Sequence, residues 1–233
     1  MKDLVKSAFG HSGQKCSAAS VAIVEASVYD NPAFLRQLKD AAASLKVGGS
    51  WEVSSVVTPL IKEPEGDLLR ALTQLEPGEE WLLKPEPSED NPCLWSPGIR
   101  LGVKPGSWFH QTECFGPVLG IIRAENLEEA IDIQNDSEFG LTGGLQSLDE
   151  REIALWKSKV QVGNAYINRV ITGAIVRRQP FGGWNHSSMG PGSKAGGPNY
   201  LTMLGSWEEK ALPQKLRTPR SEEHTSELQS PCL

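Results

Sequence analysis

Cys16 is the residue of this chain best placed by its neighbours to react. It lies in GHSGQKCSAAS, residues 10–20, between Lys15 and Ser17 and among Gly, Ser and Ala. A structural cysteine usually sits among large apolar side chains as a small hydrophobe. A nucleophilic one needs open space for a substrate and main-chain N–H groups close to the developing charge. The surroundings of Cys16 fit the second pattern. A free thiol titrates near about 8.5, so it needs a base or an electropositive setting to react at neutral pH. His11 is the nearest candidate base, and a cysteine hydrolase built on that pair is one reading. Cys16, Cys93, Cys114 and Cys232 form no C-x-x-C pair, and His11, His110, His186 and His224 are scattered, so no metal site is expected. The glycine-rich GPGSKAGG, Gly190–Gly197, departs from G-x-G-x-x-G because Ala195 stands where the last glycine belongs. It reads as a loop of tight turns rather than a phosphate cradle.

Elements able to position such a thiol are legible in the apolar pattern. Ala18–Val28 is rich in Val, Ile and Ala and reads as a buried strand. Asn31-Pro32 opens a helix with Phe34, Leu38, Ala42 and Leu45 on one face, and Gly48-Gly49 stops it. Asp67–Leu75 reads as a shorter helix, and Trp81–Lys84, Leu94–Val103 and Pro117–Arg123 read as strands. Asn126 with Glu129 forms a capping box for a helix burying Leu127, Ala130 and Ile131. Gly143–Ser147 follows as a strand, and Asp149 caps a helix presenting Ile153, Trp156 and Val160. Asn164–Asn168 is the last short strand. Strands alternating with helices predict an α/β fold with a largely parallel sheet flanked by helices.

Bulk properties narrow the function classes. The chain has 233 residues, 39% hydrophobic and 22% charged, which suits a protein with a real core. A formal net charge of −6 without a basic stripe argues against nucleic-acid partners. No apolar run reaches the length of a membrane span, and no signal-peptide pattern opens the chain. Scattered cysteines point to a reducing, cytoplasmic setting. Arg220–Ser230, RSEEHTSELQS, is polar and aperiodic and matches the translation of a common sequencing-adapter oligonucleotide. Residues 220–233 are therefore expected to be a disordered artefact, preceded by a linker at 209–219.

Three stretches in this order resemble the aldehyde dehydrogenase superfamily: GQKCSA (Gly13–Ala18), ECFGPVLG (Glu113–Gly120) and PFGGWNHSSMGPGSKAGG (Pro180–Gly197). The resemblance runs from about Lys2 to Trp207. NPCLWSPGIRLGVKPGSWFHQTECFGP and GNAYINRVITGAIVRRQPFGG are closer still to its L-glutamate γ-semialdehyde dehydrogenase branch, often fused to proline dehydrogenase. Within the third stretch, Trp184-Asn185-His186 replaces the smaller or lysine-containing residues of that branch.

The resemblance implies an NAD-dependent oxidation of L-glutamate γ-semialdehyde to glutamate in proline catabolism, through a thiohemiacetal and thioester on Cys16. Glu113 would accept hydrogen bonds from the ribose hydroxyls beside the nicotinamide, a task suited to a group with acceptors only. Phe115 would lie against the nicotinamide ring. Ser17, Gly173 and Ala174 would hold a substrate carboxylate through one hydroxyl and two main-chain N–H groups. Phe181 would wall the aldehyde tunnel. Residues 1–208 would form the catalytic domain, with an oligomerisation segment near 197–208 that makes the parent a homo-oligomer. The family's Rossmann domain, oxyanion asparagine and general base precede the nucleophile, so they are expected upstream of Met1, and the chain alone is expected to be inactive. A non-catalytic oligomerisation module, or the same fold acting on another aldehyde, is the alternative.

Overall fold

The structure, a computed structural model, describes residues 1–175, 177–190 and 192–208. The chain starts with α1 (Lys2–Phe9), which turns into a short strand, β1 (Val21–Glu25). The helical turn α2 (Ala26–Tyr29) and α3 (Pro32–Ala43) come next. Then come α4 (Gly66–Thr73), β2 (Glu80–Leu83), β3 (Gly98–Leu101), α5 (Trp108–Gln111) and β4 (Val118–Ala124). The remaining elements are α6 (Leu127–Asn135), β5 (Thr142–Leu145), α7 (Glu150–Lys159) and β6 (Asn164–Ile167). Met1–Tyr200 forms one compact unit, and a second begins at Leu201. The described part of the second is Leu201–Glu208, where the Trp207 indole donates to the Thr202 carbonyl at 2.8 Å. The proposed linker at 209–219 and the adapter-like tail at 220–233 lie outside the described residues.

β4 organises the larger sheet, whose order is β1-β4-β3-β2. It runs parallel to β1, with Val21 opposite Gly120, and parallel to β3, with Gly98 opposite Val118. β2 closes the edge antiparallel to β3. Alternation along VLGIIRA divides the core in two. Leu119 and Ile121 join Val5, Phe9, Leu38 and Ala42 beneath α1 and α3. Val118 and Ile122 join Leu72, Phe109 and Ile133 on the other face. A strand covered on both faces must be apolar almost throughout, and β4 is buried except at Arg123. β5 and β6 pair in parallel through α7 as a second, two-stranded sheet. The α/β, largely parallel architecture is as expected.

Several boundaries move, for physical reasons. The strand expected over Ala18–Val28 is confined to Val21–Glu25, because Ala19 donates instead to the Ser7 carbonyl of α1 and the chain helices again at Ala26. The strand expected over Leu94–Val103 shortens to Gly98–Leu101. Trp95 pairs with Pro87 in a separate bridge, and Pro97 lacks the N–H that would continue the ladder. α3 ends at Ala43, so Leu45 and Gly48-Gly49 lie beyond it. Val160 is the C-cap of α7 and lies past its buried face. The capping box at α6 is half made: Asn126 accepts from Glu129 N–H at 3.0 Å, while the Glu129 carboxylate reaches Glu125 N–H at 2.6 Å rather than Asn126. The sequence pattern announces neither α1 nor α5.

Among the described residues no helix is long and apolar enough to cross a membrane. Nor are three or more His, Cys, Asp or Glu side chains gathered where they could hold a metal.

Candidate active site

α1 delivers the chain to Cys16. It buries Val5, Ala8 and Phe9, which fixes its C-terminus against the sheet. Three successive left-handed residues then reverse the chain: His11 (φ 62°), Ser12 (φ 55°) and Gly13 (φ 68°). That conformation costs roughly 1–2 kcal/mol for each residue with a Cβ. Ser12 offsets the cost. Its buried hydroxyl donates to the Thr58 carbonyl at 2.5 Å and accepts from Thr58 N–H at 2.9 Å. The Ala18 amide then donates to the Lys15 carbonyl at 2.9 Å, closing a tight turn with Cys16 and Ser17 at its centre. Cys16 is exposed and Ser17 is buried. His11 is exposed on the left-handed turn.

The Glu113–Gly116 segment, between α5 and β4, faces this turn. Gln14 Nε2 donates to the Phe115 carbonyl at 3.2 Å, and Gln14 Oε1 accepts from Ile61 N–H at 3.1 Å. A Cβ on Gly13 would overlap the Gly116 carbonyl, so the close approach of the two segments requires glycine there, as its positive φ does. Glu113 is exposed, and Phe115 adopts φ 57° with its ring 42% exposed. Glu113, Phe115, Gly13, Lys15, Ser20 and Phe109 line a small cleft between the segments. An acceptor-only carboxylate beside a half-exposed ring suits the ribose and nicotinamide of a dinucleotide. Cys114, one residue on from Glu113, is no rival nucleophile: burial pushes its thiol up to about 12, against the pull of Arg100.

The segment expected to anchor a carboxylate arrives from the second sheet. The Ile171 amide donates to Ser7 Oγ at 3.1 Å, and Thr142 Oγ1 of β5 donates to the Ser17 carbonyl at 3.4 Å. Gly173 follows with φ 80° and is exposed; Ala174 is half-buried. Gln179 closes the loop through its side chain and main chain on Ile175, at 3.2 and 2.9 Å. Gln14, two residues ahead of Cys16, is thus tied to the Glu113–Phe115 segment, and Ser17 to β5 of the second sheet, while Ile171, two residues ahead of Gly173, is tied to Ser7 of α1.

Phe181 stands apart from this knot. It exchanges main-chain bonds with Ala195 at 3.0 and 2.9 Å, and Asn164 straddles it, donating to the Pro180 carbonyl and accepting from Gly182 N–H at 3.0 and 3.2 Å. No hydrogen bond among the described residues joins Phe181 to the Cys16 turn. Within Trp184-Asn185-His186, Trp184 N–H reaches the Gly140 carbonyl and His186 N–H the Glu138 carbonyl, at 2.9 and 3.0 Å. The unusual residues are therefore seated on the segment leading into β5, with Asn185 bridged to Phe139. Ser7, Ser12, Gln14 and Asn164 hold the site together, yet none was a candidate. Gln14 alone left a trace, two residues ahead of the nucleophile.

Residues 1–206 match the aldehyde dehydrogenase family. The chain belongs to that family. It is 37% identical over 203 residues to the 1-pyrroline-5-carboxylate dehydrogenase of Geobacillus sp. (strain WCH70), covering 87% of this chain and 39% of that protein. It is also 37% identical over 201 residues to the Bacillus subtilis (strain 168) enzyme of the same name, covering 86% of this chain and 38% of that one. Among solved structures, Proline Utilization A from Corynebacterium freiburgense is 56% identical with a TM-score of 0.86, covering 98% of this chain and 23% of that one. The Thermus 1-pyrroline-5-carboxylate dehydrogenase with bound NAD is 34% identical with a TM-score of 0.76, covering 87% of this chain and 38% of that one. The chain thus spans about two fifths of the curated relatives it matches.

Proposed function

We propose that this chain is the nucleophile-bearing part of an NAD-dependent dehydrogenase that oxidises L-glutamate γ-semialdehyde to glutamate in proline catabolism. One observation carries the reading. Gln14, just ahead of the Cys16–Ser17 turn, is hydrogen-bonded to the Phe115 carbonyl, and the Ser17 carbonyl to Thr142 of β5, which pairs with the β6 strand that leads toward the Gly173–Ala174 loop. The kinship with enzymes of that name supports it.

The Cys16 thiolate adds to the aldehyde carbon and forms a thiohemiacetal. NAD, when bound, supplies the acceptor for the hydride that leaves this carbon. The thioester left on Cys16 is hydrolysed by water, which releases the carboxylate and restores the thiol. Glu113 would accept hydrogen bonds from the ribose hydroxyls, and Phe115 would lie near the nicotinamide ring. Ser17, Gly173 and Ala174 bind the distant carboxylate, and Phe181 walls the approach. The likeness to Proline Utilization A supports a parent fused to proline dehydrogenase. A homo-oligomer joined near 197–208, in the cytoplasm, completes the proposal.

The test is a chimera that joins this chain to the part of the Bacillus subtilis relative it does not cover. Cys16→Ser should abolish oxidation of every aldehyde. Ser17→Ala should lower kcat/KM for glutamate semialdehyde about tenfold relative to propanal, the loss of one hydrogen bond to a charged group. Equal losses on both aldehydes would remove the carboxylate anchor from the proposal.

A further inference from the structure

We infer that Ser7 is a positioning residue that sets the spacing between the two arms of the carboxylate clamp. The inference rests on the proposed reading of Ser17, Gly173 and Ala174. Ser7 is buried in α1, 3% exposed, and touches neither substrate nor Cys16 in that reading. Its main-chain carbonyl is among the last of the helix, where no intrahelical N–H is left to take it. It accepts instead from Ala19 N–H at 3.0 Å, two residues beyond Ser17. Its hydroxyl accepts from Ile171 N–H at 3.1 Å, two residues ahead of Gly173. The hydroxyl proton is already committed to the Asp3 carbonyl at 2.6 Å, which leaves the oxygen lone pairs for Ile171.

One residue therefore grips both arms, one of them 164 positions further along the sequence. The arm bearing Ser17 hangs from its carbonyl, and the arm bearing Gly173 and Ala174 hangs from its hydroxyl. Because Ser7 sits on a helix packed into the core through Val5, Ala8 and Phe9, the grip is rigid. A carboxylate bound between a hydroxyl and two amides is sensitive to that spacing, whereas an aldehyde without a carboxylate is not. Ser7 thus acts on specificity through the loop and not on the chemistry at sulfur.

In the chimera, Ser7→Ala leaves Ile171 N–H without its acceptor. We expect kcat/KM for glutamate semialdehyde, relative to propanal, to fall about tenfold, through KM rather than kcat. Ser7→Thr should restore the ratio to within about threefold, because a helical threonine hydroxyl also bonds the carbonyl four residues back and keeps an acceptor oxygen. Equal losses on the two aldehydes, no loss on either, or failure of threonine to rescue would overturn the inference. Ser17→Ala, measured alongside, separates the two ideas. If Ser17→Ala discriminates between the aldehydes and Ser7→Ala does not, only the role of Ser7 falls. If Ser17→Ala does not discriminate, the clamp itself falls. Should Ser7→Ala not fold, amide exchange in the unaltered chain decides. Ile171 N–H should exchange at least about tenfold more slowly than Gly173 N–H, and equal rates would overturn the grip.

Discussion

The Gln14 side-chain amide spans from the Phe115 carbonyl, at 3.2 Å, to the Ile61 amide, at 3.1 Å. Cys16 follows Gln14 by two residues, so this one side chain sets how far the sulfur stands from the Glu113–Phe115 segment. Phe115 needs such a hold, since a left-handed non-glycine residue persists only where its surroundings fix it. In the chimera, Gln14→Ala should raise KM for NAD and lower kcat by about tenfold or more, a misplacement effect. Alkylation of Cys16 in the same variant should proceed at its original rate. Loss of thiol reactivity together with turnover would mean that Gln14 shapes the turn rather than the spacing.

Thiol reagents should rank the cysteines by exposure and ionisation. With iodoacetamide at about pH 8, peptide mapping should find Cys16 modified well before Cys114. Raising the pH to about 10 should leave Cys114 protected, because burial pushes its thiol up to about 12. Comparable labelling of the two would refute the assignment of Cys16 as the open thiol.

Arg100 is fully buried in β3 and ion-paired with Glu79, whose side chain is 2% exposed. It also donates to the Ala71 carbonyl at 3.0 Å and lies 4.5 Å from the Phe109 ring centroid. Removing one partner strands the other charge, so Arg100→Met should cost about 3–5 kcal/mol in urea unfolding. Adding Glu79→Leu should recover most of that loss. Two additive losses would show that the pair is not coupled.

His110 gives the fold a dependence on pH. It is 6% exposed, and Gly106 N–H donates to its Nδ1 at 3.0 Å, so the ring is held neutral with Nδ1 as acceptor. Burial lowers its pKa from 6.5, against the pull of Asp136 and the Ile133 backbone. The unfolded chain therefore takes up this proton first. Its contribution is complete above pH 6.5 and is lost as the pH falls toward the lower value of the folded state. Urea midpoints should drop as the pH falls below 6.5, and His110→Gln should flatten that drop. Parallel curves for the two proteins would place the dependence elsewhere.

How much could be read from the sequence follows from how local each signal was. The nearly unbroken apolar run Val118–Ala124 and the caps Asn126 and Asp149 announced their elements, because a strand buried on both faces and a capped helix are written in adjacent residues. Cys16 and Glu113 were legible through motifs. α1 was not, since it opens at Met1 with no side chain to cap it, and its Val5 and Phe9 are buried against strands far along the chain. Ser7, Gln14 and Asn164 are ordinary polar residues whose partners lie 164, 101 and 16 positions away. No spacing rule reaches them. The left-handed Phe115 was equally hidden, because nothing in ECFGP marks a phenylalanine for that conformation.

The division into two sheets separates two kinds of inheritance. On the proposed reading, the nucleophile turn and the cofactor segment hang on the larger sheet, while the carboxylate loop and the Phe181 loop hang on the β5–α7–β6 unit. The hydrogen bonds described between the Cys16 arm and the carboxylate loop are few, with Ser7–Ile171 and Thr142–Ser17 chief among them. Mutations in the smaller sheet can therefore retune which aldehyde is accepted while the parts that act on its carbonyl stay as they are. On that reading, selectivity and chemistry rest on separately folded strands and can be altered one at a time.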